Sequence, residues 1–311
     1  VKSDLMLEMS GQRIIPDEGN GWNFTALRDI NFYLQYSHNC TEVNARNRYD
    51  GVARFFRAYF YFEKVKRYGD IPWYDKALDS DDPELYKARD SREFVMQKML
   101  EDFAIANLPK TKNAYVLTRW TALALKSRVC LFEGTFRKYH GLEDCEKYLN
   151  ACVSASETFM NESGYTLYKS GSTPYRDLFA SINLQADEVI FGRDYEASLS
   201  VLHNVQNYEN STTMGRPGMN KKIVNSYLMA DGSRFTDKAG YETMTFDQEC
   251  QNRDPRLAQT IRTPGYTRIG STKKEAPNLA YTMTGYHLIK YSMTANYDEY
   301  NKSCNDIPLF R

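Results

Sequence analysis

The chain of 311 residues is 42% hydrophobic, which is enough to build the core of one large domain or of two average ones. Its 40 basic and 40 acidic side chains cancel, and a nucleic-acid-binding protein usually has a basic surplus, so this class is disfavoured. No run of apolar residues approaches the length of a membrane span.

Helical periodicity begins at residues 22–36 and is strongest in the aromatic segment 51–68. The apolar arc of this second helix, which we expect to be buried, consists of Val52, Phe55, Phe56, Tyr59, Phe60 and Phe62. The opposite arc, which we expect to face solvent, consists of Arg54, Arg57, Tyr61 and Lys64. Its basic stripe is typical of a solvated helix face, with contact to a partner as the alternative. Gly69 is predicted to end the helix, and Pro72 to prevent it from resuming.

Three more helices are predicted before residue 160. Asp90 and Glu93 resemble a capping box that starts a helix to Leu108, whose apolar stripe is Val95, Met99, Phe103 and Ala106. Thr118 is the expected N-cap of the next helix, which Gly134 is expected to interrupt. A last helix covers roughly residues 143–160. Paired amphipathic helices with short connections favour a tetratricopeptide-like solenoid, and an irregular helical bundle is the alternative.

The character of the chain changes after residue 160. Short extended segments at 165–169, 188–193 and 257–263 lie among long loops rich in Gly, Ser, Thr and Asn, and one helix is predicted over 221–229. Loops of this length inside a compact protein usually serve binding or are poorly ordered. We therefore predict a mostly α protein, in which residues 1–160 form a helical scaffold and residues 161–311 form a loop-rich subdomain with minor β structure.

The sequence contains little that indicates catalysis. No P-loop, GxGxxG, HExxH or GxSxG motif occurs, and the four His residues are far apart. Sequence spacing does not exclude a pair of carboxylates for glycoside hydrolysis, because the two members of such a pair come from distant segments. Among the six Cys, no spacing fits zinc, and Cys145 and Cys152 lie about 10 Å apart on one helix, too far for a disulfide.

Binding is better supported, because the chain has 24 Tyr and 16 Phe residues. A glycan site needs exposed rings for the sugar faces and Asn, Asp or Arg side chains for the hydroxyl groups. Trp73 and Tyr74 are the first candidates, since they follow the end of a helix at a turn. The alternative for Trp73 is that it packs on the preceding helix. Trp22 and Trp120 lie in helical patterns and are expected in the core.

A second group of candidates lies in the loop-rich half. Tyr195 and Tyr208 flank a polar loop that also holds Asn204, Asn207, Asn210 and Arg216. This mixture suits sugar recognition, with a flexible rim as the alternative. Tyr266 is a further loop candidate, together with Tyr281 and Tyr286. No metal ligand is assigned and no cofactor is expected, although scattered loop Asp and Asn residues permit Ca²⁺ binding.

Five segments, in the same order, resemble the SusD/RagB family of outer-membrane nutrient-binding lipoproteins of Bacteroidetes. They are RFFRAYFYFEKVKRYGDIPWYDKAL, TRWTALALKSRVCLFEGTFRKYH, NSYLMADGSRF, NRDPRLAQTI and DIPLFR, which together span residues 54–311. Each motif is short, but five in the right order make coincidence an inadequate explanation. Neither the lipoprotein Cys nor the family's C-terminal helices are present, and Val1 resembles the middle of a protein, so we expect a partial chain.

The resemblance implies four tetratricopeptide-like repeats as a scaffold and a loop-rich subdomain that carries the ligand site. It implies a lipid-anchored protein on the extracellular face of the outer membrane. Such a protein binds oligosaccharide or another nutrient and passes it to a SusC-like TonB-dependent transporter, without catalytic activity. From the residues alone, a helical-repeat scaffold that binds a protein segment in its concave face is the second hypothesis, and a glycan-active enzyme is the third.

Overall fold

The computed structural model describes residues 11–12, 21–103 and 107–311. The contacts divide the chain into two units. The described residues from 21 to Tyr165, together with Phe310, form the helical unit, and residues 11–12, Thr166–Leu309 and Arg311 form the loop-rich unit. The protein is mostly helical with a minor β component, which confirms the predicted fold class. The roles assigned to residues 1–160 and 161–311 stay predictions.

Five helices build the described part of the helical unit. They are α1 (Thr25–Tyr36), α2 (Val43–Tyr68), α3 (Arg92–Asp102), α4 (Arg119–His140) and α5 (Cys145–Glu162). Helix α2 packs against both α1 and α3, and α4 packs extensively against α5. Successive helices therefore pair with their neighbours in the chain, as the short connections predict.

The ends of the two longest helices follow from local chemistry. Gly69 ends α2 with φ 71°, and its N–H donates to the Val65 carbonyl. The hydroxyl of Thr118 accepts the N–H of Thr121 in a capping box that starts α4. Both of these predictions are confirmed.

Three other predicted helix features are wrong. Helix α4 continues through Gly134. A Cβ atom at this position would lie 2.7 Å from the Leu149 side chain, so the glycine allows α5 to approach α4 closely instead of ending the helix. The N-cap of α3 is Ser91 rather than Asp90, and this helix ends at Asp102. Ala106 of the predicted apolar stripe lies outside the described residues.

The buried face of α2 also differs from the predicted arc. Its buried residues are Gly51, Ala53, Phe55, Arg57, Ala58, Tyr61, Phe62 and Val65. Phe56 and Tyr59, which were expected inside, are 40% and 37% exposed. Arg57 and Tyr61, which were expected outside, are buried because tertiary partners satisfy their polar groups, and α2 is covered from more than one side.

An ion pair inside the helical unit joins α2 to α3. The Arg57 guanidinium donates from Nε and Nη2 to the two oxygens of Asp102, over 2.6 and 2.5 Å, in bidentate geometry. Its Nη1 donates to Asn31 Oδ1 of α1 over 3.3 Å. Both members of the pair are buried, so each charge depends on the other for its stabilisation.

Short elements and long connections make up the loop-rich unit. Its helices are α6 (Pro174–Asp177), α7 (Val205–Glu209), α8 (Lys221–Ser226), α9 (Phe246–Cys250) and α10 (Pro255–Ala258). Strands β1 (Phe191–Arg193) and β2 (Ile307–Phe310) pair in a two-stranded sheet. An apolar cluster of Val224, Leu257 and Ile261 lies at the centre of the α8 and α10 region.

Of the three extended segments predicted in this unit, only 188–193 contains a strand. Residues 165–169 form none. Within 257–263, the chain is helical up to Ala258, since Asp254 caps α10 and Pro255 occupies its first turn. Helix α8 is shorter than predicted, because Leu228 and Met229 form β-bridges instead.

All six cysteines carry free thiols, as predicted for Cys145 and Cys152. Among the helices in the described residues, none combines the length and the apolar character needed to cross a bilayer.

The interior of the loop-rich unit contains two titratable groups with opposite behaviour. Burial, reinforced by the Asp298 carboxylate, raises the pKa of Glu209 to about 8. Burial, together with the Arg262 cation, lowers the pKa of His287 to about 4. The ring of His287 is hydrogen-bonded at both nitrogens: Nε2 donates to the Glu209 carbonyl, and Nδ1 accepts the Asn278 N–H. Both groups are therefore neutral in the folded protein near pH 6.

Replacing Arg57 by Met is expected to lower the free energy of unfolding by about 3–5 kcal/mol, because Asp102 then stays buried without its partner. Urea-induced unfolding followed by circular dichroism measures this change. Arg54→Met, on the exposed face of the same helix, is the control and should alter the value by less than about 0.5 kcal/mol. Equal losses in both variants would contradict a special role for the buried pair.

The stability contributed by Glu209 is expected to depend on pH. Its folded pKa lies above its ordinary value of 4.5, so this contribution is complete below about pH 4.5 and is lost as the pH rises through about 8. The lowered pKa of His287 has the opposite effect, since it makes the free energy of unfolding rise with pH between about pH 4 and pH 6.5. The interval from pH 6.5 to pH 8 therefore isolates Glu209 from His287.

Over that interval the Glu209 term should reduce the free energy of unfolding by about 1–2 kcal/mol. Glu209→Gln is expected to remove this part of the pH dependence. Glu299→Gln, an exposed carboxyl group in the same unit, is the control and should retain the wild-type slope. Parallel pH profiles for wild type and Glu209→Gln would show that Glu209 is ionised in the folded protein.

Candidate functional site

In the helical unit, the start of α1 and the chain between α2 and α3 enclose a cleft of about 610 Å³, here called the loop cleft. Its aromatic lining consists of Trp22, Phe24, Tyr74 and Tyr86. Its basic lining consists of Arg28, Lys76, Lys87 and Arg89, and Asn31 adds an amide. Apolar side chains, among them Leu27, Pro72 and Leu78, complete the wall. The size and this mixture of rings with a few polar groups are typical of a small-molecule site.

Hydrogen bonds hold the backbone that forms one wall of the cleft. The carbonyl oxygen of Tyr74 accepts from Asn31 Nδ2 over 2.9 Å, and the Tyr74 N–H donates to the hydroxyl of Tyr61 over 2.6 Å. The Trp73 N–H donates to Asp90 over 2.7 Å, and its carbonyl accepts from Lys87 Nζ over 2.7 Å. The wall is therefore fixed to α1 and α2 before any ligand binds.

Trp22, Tyr74 and Tyr86 of the cleft differ in how accessible their ring faces are. Tyr86 is 85% exposed and has no aromatic or cationic neighbour among the described residues. Trp22 is 39% exposed, and the Arg89 guanidinium lies 4.9 Å from the centre of its ring. Tyr74 is half-buried with the edge of Phe24 against it at 5.8 Å. Tyr86 thus offers the most accessible face for stacking.

The hydroxyl of Tyr74 remains a proton donor at neutral pH. Burial, helped by the carboxylates of Glu84 and Asp90, raises the pKa of Tyr74 above its ordinary value. This hydroxyl donates to the Leu85 carbonyl over 3.5 Å, which is a long hydrogen bond. A ligand oxygen could therefore replace the carbonyl at little cost.

A second depression of about 820 Å³ lies along α1 and α2. It is lined by rings of Phe56, Tyr59 and Phe60. Two of its cations are already engaged, since Lys66 pairs with Glu63 over 2.6 Å and Lys64 donates to the Gly21 carbonyl. Fewer of its polar groups are available to a ligand than in the loop cleft, so we take the loop cleft as the candidate site.

Trp73 and Tyr74, the two candidate rings that follow the end of α2, have different environments. Tyr74 lines the loop cleft. Trp73 is only 6% exposed, and its ring stacks on Tyr61 with centroids 4.2 Å apart. Trp73 therefore packs on the preceding helix, which is the alternative that the sequence left open, and a buried ring presents no free face to a sugar.

Of the two Trp residues expected in the core, Trp120 is buried as predicted and Trp22 is not. Trp22 precedes α1, which begins only at Thr25, so the helical pattern assigned to residues 22–36 extends too far toward the N-terminus. The sequence reasoning also missed Tyr86. The turn signal of Pro83, three residues before it, could have indicated an exposed ring.

Two of the candidates in the loop-rich unit belong to its interior. The Asn210 side chain donates to Ser292 Oγ over 2.9 Å and accepts from Arg262 Nη2 over 2.7 Å. Tyr266 is 6% exposed, with the guanidinium groups of Arg176 and Arg262 at 5.1 and 5.2 Å from its ring centre. Both side chains are engaged by groups of the same unit, so neither residue lies on an exposed platform.

The remaining candidates lie apart from the loop cleft. Tyr195 is half-buried with its ring against His203, at 4.5 Å between centroids. Tyr208 is 52% exposed at the end of α7, and Arg216 donates to the Leu279 carbonyl over 3.4 Å. None of the three lines either depression described above. Their part in ligand binding stays a prediction.

Metal binding has no evident centre in the part of the chain that the structure describes. No three His, Cys, Asp or Glu side chains in it are grouped as the ligands of a metal ion would be. The allowance for Ca²⁺ made from the loop composition stays a prediction.

Comparison with solved structures identifies the fold. A SusD-like carbohydrate-binding protein from Bacteroides fragilis matches with a TM-score of 0.66 and 17% identity, over 92% of this chain and 57% of that one. A second SusD-like protein from Bacteroides fragilis gives a TM-score of 0.64 and 21% identity, over 91% and 59%. A structure with a xylogluco-oligosaccharide matches with a TM-score of 0.61 and 16% identity, over 93% of this chain and 56% of that one. This likeness confirms the tetratricopeptide-like scaffold.

The chain thus spans between 56% and 59% of the length of these three structures. No curated protein matches it. The model of the SusD family matches residues 155–311, which is half of the chain, and includes three of the five segments on which the resemblance was based. The chain belongs to the SusD family.

Proposed function

We propose that this protein binds an oligosaccharide in the loop cleft. The observation that carries the proposal is a preformed cleft that the exposed ring of Tyr86 lines together with Trp22 and Tyr74. Aromatic faces suit the apolar C–H faces of sugar rings, and the Tyr74 hydroxyl, with only a long hydrogen bond to the Leu85 carbonyl, can donate to a sugar oxygen. Because the wall is already hydrogen-bonded to α1 and α2, little conformational entropy is lost on binding.

The ligand class is supported by proteins of the same fold. One of them is a SusD-like carbohydrate-binding protein, and another was determined with a xylogluco-oligosaccharide. Their sequence identity to this chain is 17% and 16%, so they support carbohydrate as a class and say nothing about which sugar this cleft accepts.

In the fuller form of the proposal, the protein lies at the extracellular face of the outer membrane, held by a lipid anchor. It captures the sugar and delivers it unchanged to a SusC-like TonB-dependent transporter, so it is not an enzyme. Membership of the SusD family supports this role.

Replacing Tyr86 by Ala is expected to weaken oligosaccharide binding about tenfold, or about 1.4 kcal/mol, because the freest stacking face of the cleft is removed. Isothermal titration against a panel of oligosaccharides identifies a ligand and then measures the loss. Tyr139→Ala is the matched control, since Tyr139 is 81% exposed on α4 and lies outside the cleft. An affinity unchanged in both Tyr86→Ala and Trp22→Ala would place the site elsewhere, and no binding to any sugar would reject the proposal.

Affinity purification of the full-length protein from detergent-solubilised outer membranes should recover a β-barrel transporter in amounts comparable to the bait. This outcome is expected if the protein forms a stable complex with the transporter to which it delivers the sugar. Recovery of a soluble protein in its place would favour the second hypothesis, a helical scaffold that binds a protein segment. A sugar that is bound and then cleaved, with cleavage abolished by one carboxylate substitution, would contradict the non-catalytic role.

A further inference from the structure

The loop cleft has an unbalanced charge. Among its described lining residues, Arg28, Lys76, Lys87 and Arg89 are basic and none is acidic. The whole chain, in contrast, has a formal net charge of zero. A cleft lined by one sign of charge attracts ligands of the opposite sign, and its partly apolar walls strengthen that attraction.

Two of the four cations have no ionic partner in the part of the chain that the structure describes. Arg28 and Arg89 are exposed, and neither makes a side-chain hydrogen bond or an ion pair with another described residue. Arg89 is instead positioned over the ring of Trp22, which fixes the direction of its guanidinium group without neutralising it. Both arginines therefore retain their capacity to donate hydrogen bonds to a ligand.

The two lysines are less free. Lys87 Nζ donates to the Trp73 carbonyl and lies 3.0 Å from Asp90, so it supports the wall of the cleft. Lys76 is 57% exposed and only loosely paired, with 3.6 Å between its Nζ and Asp82. The positive potential of the cleft thus comes from Arg28 and Arg89, with a smaller contribution from Lys76.

The same lining is poor in acceptors. A neutral sugar presents hydroxyl groups that donate as well as accept, and carboxylate side chains commonly accept those donated hydrogens. Here Asn31 Oδ1 already accepts from Arg57, and the cleft has no carboxylate among its described lining residues. Guanidinium groups, in contrast, match the planar oxygens of a carboxylate or the oxygens of a sulfate, often in bidentate geometry.

We infer that the ligand of the loop cleft is an anionic oligosaccharide, whose carboxylate or sulfate groups bind Arg28 and Arg89 while a sugar face stacks on Tyr86. This inference rests on the proposed function and adds the charge of the substrate class. Uronic-acid residues and sulfate esters present the same chemistry to the two arginines, and the experiment below separates them.

The test compares three oligosaccharides of matched length, one neutral, one of uronic acids and one sulfated, by isothermal titration with the full chain. At least one of the acidic sugars should bind tenfold or more tightly than the neutral sugar, and whichever of them binds identifies the source of the charge. The advantage should shrink as sodium chloride is raised from about 0.05 M to about 0.5 M, because salt screens exposed charges.

The variants Arg28→Gln and Arg89→Gln should each weaken binding of the acidic sugar about tenfold, a much larger loss than they cause for the neutral sugar. Both arginines are exposed, so folding is not at risk. Arg54→Gln is the matched control, because Arg54 is exposed on α2 and does not line the cleft. A uniform loss for neutral and acidic sugars would overturn the inference, since the arginines would then not recognise charge.

Failure of this inference can be told from failure of the proposed function. If the neutral sugar binds as tightly as the acidic ones and Tyr86→Ala still weakens it, the cleft binds sugars but does not select for charge. If no sugar loses affinity in Tyr86→Ala, Arg28→Gln or Arg89→Gln, the loop cleft is not the site, and both proposals are rejected.

Discussion

The loop cleft depends on a buried charge pair that does not touch it. Arg57 and Asp102 neutralise each other inside the helical unit, and the remaining guanidinium nitrogen donates to Asn31 Oδ1. That contact orients the Asn31 amide, whose Nδ2 donates to the carbonyl oxygens of Tyr74 and Lys76. A polar chain therefore runs from the core to the wall of the site, and each member needs the one before it to be correctly oriented.

Tyr61 supplies the second constraint on the same wall. Its ring stacks on Trp73, and its hydroxyl accepts the Tyr74 N–H. Burial raises the pKa of this hydroxyl far above its ordinary value, so it stays protonated and can donate as well as accept. The side chains of the adjacent residues Trp73 and Tyr74 point in different directions. Trp73 packs on α2 and holds the loop there, and Tyr74 lines the cleft.

The parts of the fold that depend on local chemistry could be predicted from the sequence. Gly69 and Thr118 set helix boundaries through their own backbone and side-chain geometry, and the helix pairs follow from their amphipathic spacing. The buried face of α2 could not be predicted, because Arg57 is placed inside by Asp102, which lies 45 residues further along the chain. A helical wheel treats such an arginine as a surface residue.

The site was only partly predictable for a related reason. The helix stop indicated both Trp73 and Tyr74 as candidates, and only Tyr74 lines the loop cleft, because the sequence does not determine which of two adjacent rings turns inward. Tyr86 was missed because no periodic pattern marks an exposed ring in a short turn, and Trp22 because a helical pattern was extended past the true start of α1. Family resemblance, in contrast, needed only the order of the motifs and was confirmed.

Polar composition alone does not distinguish a binding loop from a loop that satisfies itself. Asn210 lies in a loop with the amides and the arginine that sugar recognition needs, yet its side chain is committed to Ser292 and Arg262 within the same unit. Among the described residues, Arg28 and Arg89 have no hydrogen-bonded or ionic partner for their side chains, although nothing in the local sequence distinguishes them. The candidate site was therefore chosen by the donors that the described residues leave without partners beside an accessible ring, and at the loop cleft those donors are cationic.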